Sequence, residues 1–282
     1  MPIRAIDIVT DSTAYLPMER ARELDITIVP LHVLIGGESY SEGGEGAEVV
    51  LAALRSGATA TTSQPSPETF LDVYRQRAEL GFEGVVSIHL SSLLSGTYES
   101  AVLAAAQSPI PVRVIDSRSV AMGLGFAAIS AALAADDGAP IDEVAEVAKL
   151  RAAATRSFFT TPNLEHLRRS GRVSRGAALL ANALNVLPIL SVENGEVVAL
   201  EKVRTKARAL ARVEELAALC AQHGTVDIAV HHLGAPDLAD EVAARLHKSI
   251  HQIGEVVMSE LGAVVGAHTG PGTLAVIVAP RI

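Results

Sequence analysis

The chain has 282 residues, a formal net charge of −9, and 49% hydrophobic but only 3% aromatic residues. This length predicts one large or two medium domains, and the acidic balance and the scarcity of aromatic rings argue against nucleic-acid binding. Cys220 is the only cysteine, so no internal disulfide can form and a reducing, cytoplasmic location is predicted.

Two segments bear on membrane targeting. The N-terminal residues reach Asp7 without a long apolar run, which predicts no secretory signal peptide. The longest apolar run, residues 120–135, has 16 residues, fewer than the ~20 that a membrane span needs. It is therefore predicted to be a buried helix.

Strands and helices alternate through the first half of the chain. Strands are predicted at 6–10, 26–34, 85–88 and 111–115, the second of them bent or interrupted by Pro30. The glycine-rich stretch 36–46 is predicted to be a loop. This order of βαβ units predicts an α/β N-terminal domain, residues 1–155, with a parallel sheet whose ligands lie beyond the carboxyl ends of the strands.

The pattern changes after residue 155. Several strands are interspersed with helices, and Asn194-Gly195 between two of the strands is a strong hairpin signal. These features predict an α+β C-terminal domain, residues 156–282, with an antiparallel sheet. The segment GAHTGPG, residues 266–272, is predicted to be a tight loop.

Two hydroxyl-rich segments are candidate anion-binding sites. Ser95, Gly96 and Thr97 follow a predicted strand and precede a helix, where backbone N–H groups and the helix dipole favour an anion. Thr62 and Ser63 form the second cluster. A plain helix cap would also explain Ser95-Gly96-Thr97, and the glycine pattern of a nucleophile elbow is absent.

His268 is a further candidate because three glycines and a proline surround it. The ring is therefore predicted to be accessible and able to donate a hydrogen bond to a bound carboxylate. A structural role is the alternative. The sequence has no cluster of cysteine and histidine of the kind that binds zinc, so no metal site is predicted.

Arginines form the last candidate group. Arg168, Arg169, Arg172 and Arg175 surround Gly171, and they either neutralise a helix C-terminus or form a docking surface or phosphate clamp. Arg204 is either a surface charge or an anion ligand. No GxxxxGK[ST] segment is present, so no P-loop nucleotide site is predicted in this chain.

Taken together, these motifs resemble the DegV family. The matching segments are VTDST (9–13), TSQPS (62–66), SIHLSSLLSGTY (87–98), VIDSRSVAMGLG (114–125), SGRVS (170–174), VRT (203–205) and GAHTGPG (266–272). The resemblance implies a two-domain α/β protein that buries one long-chain fatty acid between its domains and needs no other cofactor. It also implies a non-enzymatic, fatty-acid-binding subunit of bacterial fatty acid kinase, whose separate ATP-dependent subunit forms the acyl phosphate used in phospholipid synthesis.

The resemblance also implies roles for individual residues. The carboxylate of the fatty acid would be held by Thr62, Ser63, Ser95, Gly96, Thr97 and His268. Arg172 and Arg204 would serve phosphate transfer or docking of the kinase subunit. No residue of this chain would be catalytic.

Burial of an acyl tail agrees with the implied function. Each buried CH₂ contributes about 0.8 kcal/mol, so ~14 methylenes offer roughly 11 kcal/mol before the costs of binding. Residues 120–135 and 177–190 are the predicted sources of an apolar tunnel. Transient contact with a membrane is expected during ligand exchange.

Two other functions remain open from the sequence. One is a lipid hydrolase or acyltransferase that uses Ser95 with His268. The other is a regulatory protein that binds its partner through the arginine cluster around Gly171.

Overall fold

The computed structural model describes residues 4–162, 164–173, 186–222 and 224–282. The chain divides into two compact units. The first comprises the residues up to His32 together with Ser63–Ala154, and the second comprises Val33–Thr62 together with Thr155–Ile282. The division after Ala154 lies beside the predicted boundary. Residues 33–62 fold with the second unit, however, so the placement of all residues 1–155 in one domain is corrected.

The first unit is built on a four-stranded parallel sheet. Its strands, in spatial order, are β2 (Ile26–Val29), β1 (Ile6–Asp11), β6 (Gly84–His89) and β7 (Val112–Asp116). The two central strands, β1 and β6, are buried along their whole length, as expected for a parallel sheet with both faces covered. The predicted parallel α/β arrangement of the N-terminal part is confirmed.

Five α-helices belong to the described residues of this first unit. They are α1 (Met18–Glu23), α3 (Pro67–Glu79), α4 (Thr97–Ala105), α5 (Met122–Asp136) and α6 (Ile141–Ala154). Ser66 caps α3 by accepting the N–H of Thr69 at 3.2 Å, and Pro67 occupies the first helical position. An apolar cluster packs α3 and α4 on the sheet, with members Val9, Val29, Phe70, Leu71, Tyr74, Val85, Ala101 and Ala104.

Helix α5 is the buried helix predicted at 120–135. Most of its 15 residues are buried. Gly125 allows the close approach of a neighbouring loop, because an added Cβ would lie 2.9 Å from the carbonyl oxygen of Ala14. Among the described residues, no helix combines the length and the apolar character needed to cross a membrane.

The second unit contains a six-stranded sheet. Its strands, in spatial order, are β10 (Glu196–Val203), β9 (Leu187–Glu193), β8 (Arg156–Thr160), β13 (Leu274–Pro280), β11 (Val226–His232) and β12 (Ile253–Glu260). Only β11 and β12 pair in parallel, so the predicted antiparallel sheet is a mixed one. Asn194 and Gly195 have φ angles of 51° and 93°, as the predicted hairpin turn requires.

Two long helices cover this sheet, α8 (Lys206–Cys220) and α9 (Pro236–Ser249). Their apolar faces pack against the strands in one cluster, whose largest members include Phe158, Ile189, Val213, Ile228, Val242, Leu246 and Val276. The sheet and these helices give the second unit a core that is separate from the cluster of the first unit.

Residues 33–62 add a small sheet and a helix to the second unit. The small sheet has the order β4 (Glu38–Ser41), β3 (His32–Ile35), β5 (Thr61–Ser63), and α2 (Ala47–Arg55) lies between β4 and β5 in the chain. The interruption predicted at Pro30 divides the stretch 26–34 into two strands. Pro30, which lacks the N–H that a strand ladder needs, separates β2 from β3, and the two strands join different sheets. The loop predicted at 36–46 is likewise interrupted by β4.

Two polar contacts tie this inserted segment to the remainder of its unit. Arg55, at the end of α2, forms a bidentate ion pair with Glu260, in which Nε lies 2.9 Å from Oε1. Glu42 accepts the backbone N–H of Val264 at 2.8 Å, in the first turn of helix α10 (Ala263–Thr269). The tight loop predicted at 266–272 is therefore wrong in its first half: a cap from a distant residue supports a helix there, and Gly270 ends it at a φ of 79°.

Candidate functional site

Residues 91–97, here called the serine loop, connect β6 to α4. The carbonyl of Ser91 accepts the N–H groups of Leu94 and Ser95 at 2.9 and 3.1 Å, so the chain turns tightly before the helix begins. Ser95 Oγ lies 2.9 Å from Thr97 Oγ1. Ser95 is half-buried, and both hydroxyls lie at the N-terminal end of α4, as predicted.

Gly96 has a neighbour that the sequence did not indicate. An added Cβ at this position would lie 2.4 Å from Oε1 of Gln64. The Gln64 amide also donates from Nε2 to Ser100 Oγ at 3.4 Å. Gln64 therefore lies against the first turn of α4, and only glycine leaves it room.

Two aspartates from neighbouring strands hold the serine loop. Asp11, the last residue of β1, accepts the N–H of Leu90 at 2.9 Å. Asp116, the last residue of β7, accepts the N–H of Ser92 at 3.2 Å and its hydroxyl at 2.6 Å. Because β1 and β7 flank β6, the loop is fixed from both sides at the carboxyl edge of the sheet.

A buried series of hydrogen bonds continues from Asp11. The Tyr74 hydroxyl donates to Ser87 Oγ at 2.9 Å, Ser87 Oγ lies 2.7 Å from His89 Nε2, and His89 Nδ1 lies 3.1 Å from Asp11 Oδ2. All four side chains are fully buried, and burial raises the pKa of Tyr74. The Asp-His-Ser order is that of a hydrolase triad. Ser87 is fully buried, however, and is not accessible to a substrate, so the series is structural.

In the second unit, Thr62 and His268 meet directly. Thr62 Oγ1 lies 2.9 Å from His268 Nε2, across 206 residues of sequence. Thr62 is half-buried in the middle of β5, and His268 lies in the last turn of α10. The His268 ring is half-buried, less accessible than the predicted tight loop would have left it.

The environment of His268 decides which atom donates in that contact. Burial, and secondly the charge of Arg172, lower the pKa of His268 to about 4, so the ring is neutral at pH 7. Nδ1 is buried without a hydrogen-bond partner among the described residues. A buried N–H without an acceptor is rarer than a buried unpaired acceptor, which favours the tautomer with the proton on Nε2. Nε2–H then donates to Thr62 Oγ1, and the Thr62 O–H remains to donate to a ligand.

A pocket of about 230 Å³ lies beside this pair, within the second unit. Its walls are residues 59–62, the end of α10, and helix α7 (Glu165–Ser170) with the Arg172 that follows it. The ring of His166 packs on Gly270, where an added Cβ would lie 2.6 Å from ring Cδ2. Arg172, which the resemblance assigns to phosphate transfer or kinase docking, shares this pocket with Thr62 and His268.

The remaining predicted residues lie elsewhere. Ser63 is exposed and follows Thr62 in β5, so its side chain points to the opposite side of the strand. Arg204 is exposed between β10 and α8 and does not line the pocket. Arg175, and residues 177–185 of the predicted tunnel segment, lie outside the described residues, whereas Ile189 and Leu190 are buried in β9.

Ser95 and His268, the pair considered for a hydrolase, each have a hydrogen-bond partner within their own unit: Ser95 bonds Thr97, and His268 bonds Thr62. Within the described part of the chain, no three His, Cys, Asp or Glu side chains are arranged to hold a metal ion.

Comparison with known proteins gives a consistent result. A family model described as "Uncharacterised protein, DegV family" matches residues 5–281. A DegV domain-containing protein of Streptomyces coelicolor is 48% identical over 279 residues, which cover 99% of each chain. A solved DegV family protein of Thermus thermophilus, described as binding fatty acid, has 32% identity and a TM-score of 0.92 over 99% of this chain and 100% of its own. DegV of Bacillus subtilis, described as a fatty acid binding protein, has 31% identity and a TM-score of 0.90 with the same coverage.

The two aspartates beside the serine loop should respond to the same substitution with losses of stability of different size. In Asp11→Asn, either orientation of the new NH₂ faces a backbone N–H, from Thr13 or from Leu90. In Asp116→Asn, the amide oxygen can keep the N–H groups of Ser92 and Arg118, and the NH₂ can donate to the Ser92 hydroxyl. Urea unfolding should show a loss of about 1–3 kcal/mol for Asp11→Asn and under about 1 kcal/mol for Asp116→Asn. Equal losses would contradict this account of the loop.

His268 should remain neutral across the physiological range. Its folded-state pKa of about 4 lies below the value of a free histidine, near ~6.5. The neutral ring therefore contributes stability that is complete above the unfolded pKa and is lost as the pH falls towards 4. Imidazole nitrogen shifts in NMR spectra should show no titration of His268 between pH 5.5 and 8, with free histidine as the reference. A midpoint near that of free histidine would refute the buried, neutral assignment.

Proposed function

The chain belongs to the DegV family, and we propose that it binds a long-chain fatty acid whose carboxylate is held by Thr62, Ser95 and His268. The observation that carries this proposal is the bond between Thr62 and a neutral His268. It orients a hydroxyl donor at the wall of a pocket without placing a full charge there. A carboxylate buried with an apolar tail needs such donors.

The serine loop supplies the second set of donors in this proposal. The Ser95 hydroxyl can donate to the carboxylate while Thr97 remains its neighbour at 2.9 Å. Gly96 and Thr97 contribute the positive N-terminal end of α4. Ser63 points away from Thr62, and its predicted part in carboxylate binding remains a prediction.

The acyl tail needs an aliphatic surface. Helix α5 is rich in alanine with leucine, isoleucine, methionine and phenylalanine, and its side chains are mostly buried. We propose that part of the tail packs on this helix. Each methylene removed from water contributes about 0.8 kcal/mol, so the tail supplies most of the affinity and the polar donors fix the direction of the chain.

The further proposal is that this protein presents its ligand to a separate kinase subunit. A carboxylate oxygen would bond to the γ-phosphorus of ATP held by that subunit, while the bond from this phosphorus to the bridging oxygen breaks and ADP leaves. The resulting acyl phosphate would enter phospholipid synthesis. The absence of a P-loop sequence in this chain supports a carrier role. The presence of a single cysteine supports a cytoplasmic location. Ligand exchange would involve transient membrane contact.

Two arginines would serve the kinase subunit. Arg172 shares the pocket of Thr62, which supports a part in phosphate transfer. Arg204 is exposed outside the pocket, which supports a part in docking. A local excess of positive charge on a chain with net charge −9 favours a partner with an acidic surface.

Native mass spectrometry tests the binding proposal. Protein purified from cells should carry a bound fatty acid, and Thr62→Val should weaken retention of added palmitate by about 1–3 kcal/mol, because it leaves Nε2–H of His268 without an acceptor. Thr62→Ser, which keeps the hydroxyl, should retain palmitate like the unchanged protein. Absence of lipid from the purified protein, together with no uptake of palmitate, would refute fatty-acid binding.

The carrier role has its own test. With palmitate-loaded protein and ATP, hydroxylamine should trap an acyl hydroxamate only when the kinase subunit of the same organism is added. Arg204→Glu should reduce the yield by about tenfold or more at unchanged lipid content, since reversal of a docking charge costs well over 1 kcal/mol. Arg208→Glu, an equal charge change on the exposed start of α8, is the control. Hydroxamate formed with ATP alone would overturn the carrier role.

A further inference from the structure

Gln64 is a polar side chain at the serine loop to which the proposed function gives no role. Its carboxamide end points at Gly96, since an added Cβ there would lie 2.4 Å from Oε1 and 2.7 Å from Nε2. Gly96 is the N-cap of α4 and lies between Ser95 and Thr97 in the chain. The amide therefore lies beside the two residues whose hydroxyls are proposed to bind the carboxylate.

The backbone that carries Gln64 is restrained by the residues that follow it. Pro65 is buried, and a residue before proline is restricted to extended backbone, so Gln64 has few conformations open to it. Ser66 Oγ accepts the backbone N–H of Thr69 at 3.2 Å and caps α3. These neighbours fix the backbone from which the Gln64 side chain reaches Gly96.

Most of the hydrogen-bonding capacity of the Gln64 amide is unused. A carboxamide has two N–H donors and an acceptor oxygen with two lone pairs. The bond from Nε2 to Ser100 Oγ, at 3.4 Å, is long and uses one donor. Among the described residues Gln64 has no other hydrogen-bond partner, and its side chain is exposed. One N–H of Nε2 is therefore left to bind a ligand at the start of α4.

A neutral amide is the kind of donor that a carboxylate at this position needs. The N-terminal end of α4 favours an anion, and the Thr62 hydroxyl and the neutral His268 ring are uncharged donors. An amide N–H adds a donor without the desolvation cost of a further charge. A carboxylate at position 64 would instead compete for the end of α4 and repel the ligand.

We propose that Gln64 is a further ligand of the fatty-acid carboxylate, which it binds through an N–H of Nε2, and that it makes the serine loop selective for an ionised head group. This inference deepens the proposed function and rests on it for the identity of the ligand. Gly96 is required in this arrangement because any side chain there would displace the amide. Thr62 and Gln64 are separated by one residue, so a single short segment of the chain supplies two of the donors.

Replacement of Gln64 by glutamate tests the assignment, because it keeps the shape of the side chain and puts a negative charge in place of the donor. The full chain, freed of lipid, is titrated near neutral pH with palmitate and with hexadecanol, which has a tail of the same length and no carboxylate. Gln64→Glu should weaken palmitate binding by about tenfold or more and hexadecanol binding by less than about twofold. Gln64→Met, which keeps the length of the side chain and loses the donor, should weaken palmitate binding by about threefold. Gln76→Glu, an equal charge change at an exposed position of α3, is the control and should change neither by more than about twofold.

Two results would overturn the role of Gln64 while leaving fatty-acid binding in place. One is palmitate binding by Gln64→Glu that is as strong as binding by Gln76→Glu. The other is an equal loss of palmitate and hexadecanol in Gln64→Glu, which would mean that the side chain only supports the structure of the loop. Failure of the unchanged protein to bind palmitate is a different result, since it refutes the proposed ligand and this inference with it.

Discussion

The candidate site in the first unit depends on two carboxylates at the ends of parallel strands. Asp11 and Asp116 each accept a backbone N–H from the chain that leaves β6 between them. A parallel sheet places the ends of neighbouring strands together, so residues 105 positions apart hold a single turn from both sides. This turn fixes the residue at which α4 begins, and therefore the position of the Ser95 and Thr97 hydroxyls. Asp11 is buried, and Thr13 and His89 satisfy the remaining hydrogen-bond-accepting capacity of its carboxylate. A buried carboxylate requires such partners.

The candidate site in the second unit depends on a segment that crosses from the N-terminal half of the sequence. Residues 33–62 supply Thr62 directly, and they also supply Glu42, which caps the helix that carries His268. Arg55 fixes the same segment to the end of β12 through Glu260. The position of Thr62 against His268 is therefore set by the same insertion at three points. This arrangement explains why a strand of only three residues, β5, can hold the Thr62 hydroxyl in a defined place.

Much of this architecture could be predicted from the sequence, and the limits are physical. The parallel sheet of the first unit and the Asn194-Gly195 hairpin follow from local apolar patterns and turn chemistry. The helix around His268 could not be predicted, because its cap comes from Glu42, 222 residues away. The membership of residues 33–62 in the second unit cannot be predicted for the same reason, since only long-range pairing determines it. The serine loop is recognisable in the sequence as a strand-end feature, but the series from Tyr74 to Asp11 consists of residues that resemble ordinary core positions.

The pocket beside Thr62 and His268 combines uncharged hydrogen-bond donors with arginine charge. A carboxylate carries one negative charge, and neutral donors such as Thr62 and His268 satisfy it without the desolvation cost of burying a further ion. Burial first, and the charge of Arg172 second, lower the pKa of His268 to about 4, so the ring stays neutral although an arginine lines the same pocket. The proposed carboxylate site therefore depends mainly on the burial of the His268 ring, because exposing the ring to water would raise its pKa and change which donors it offers.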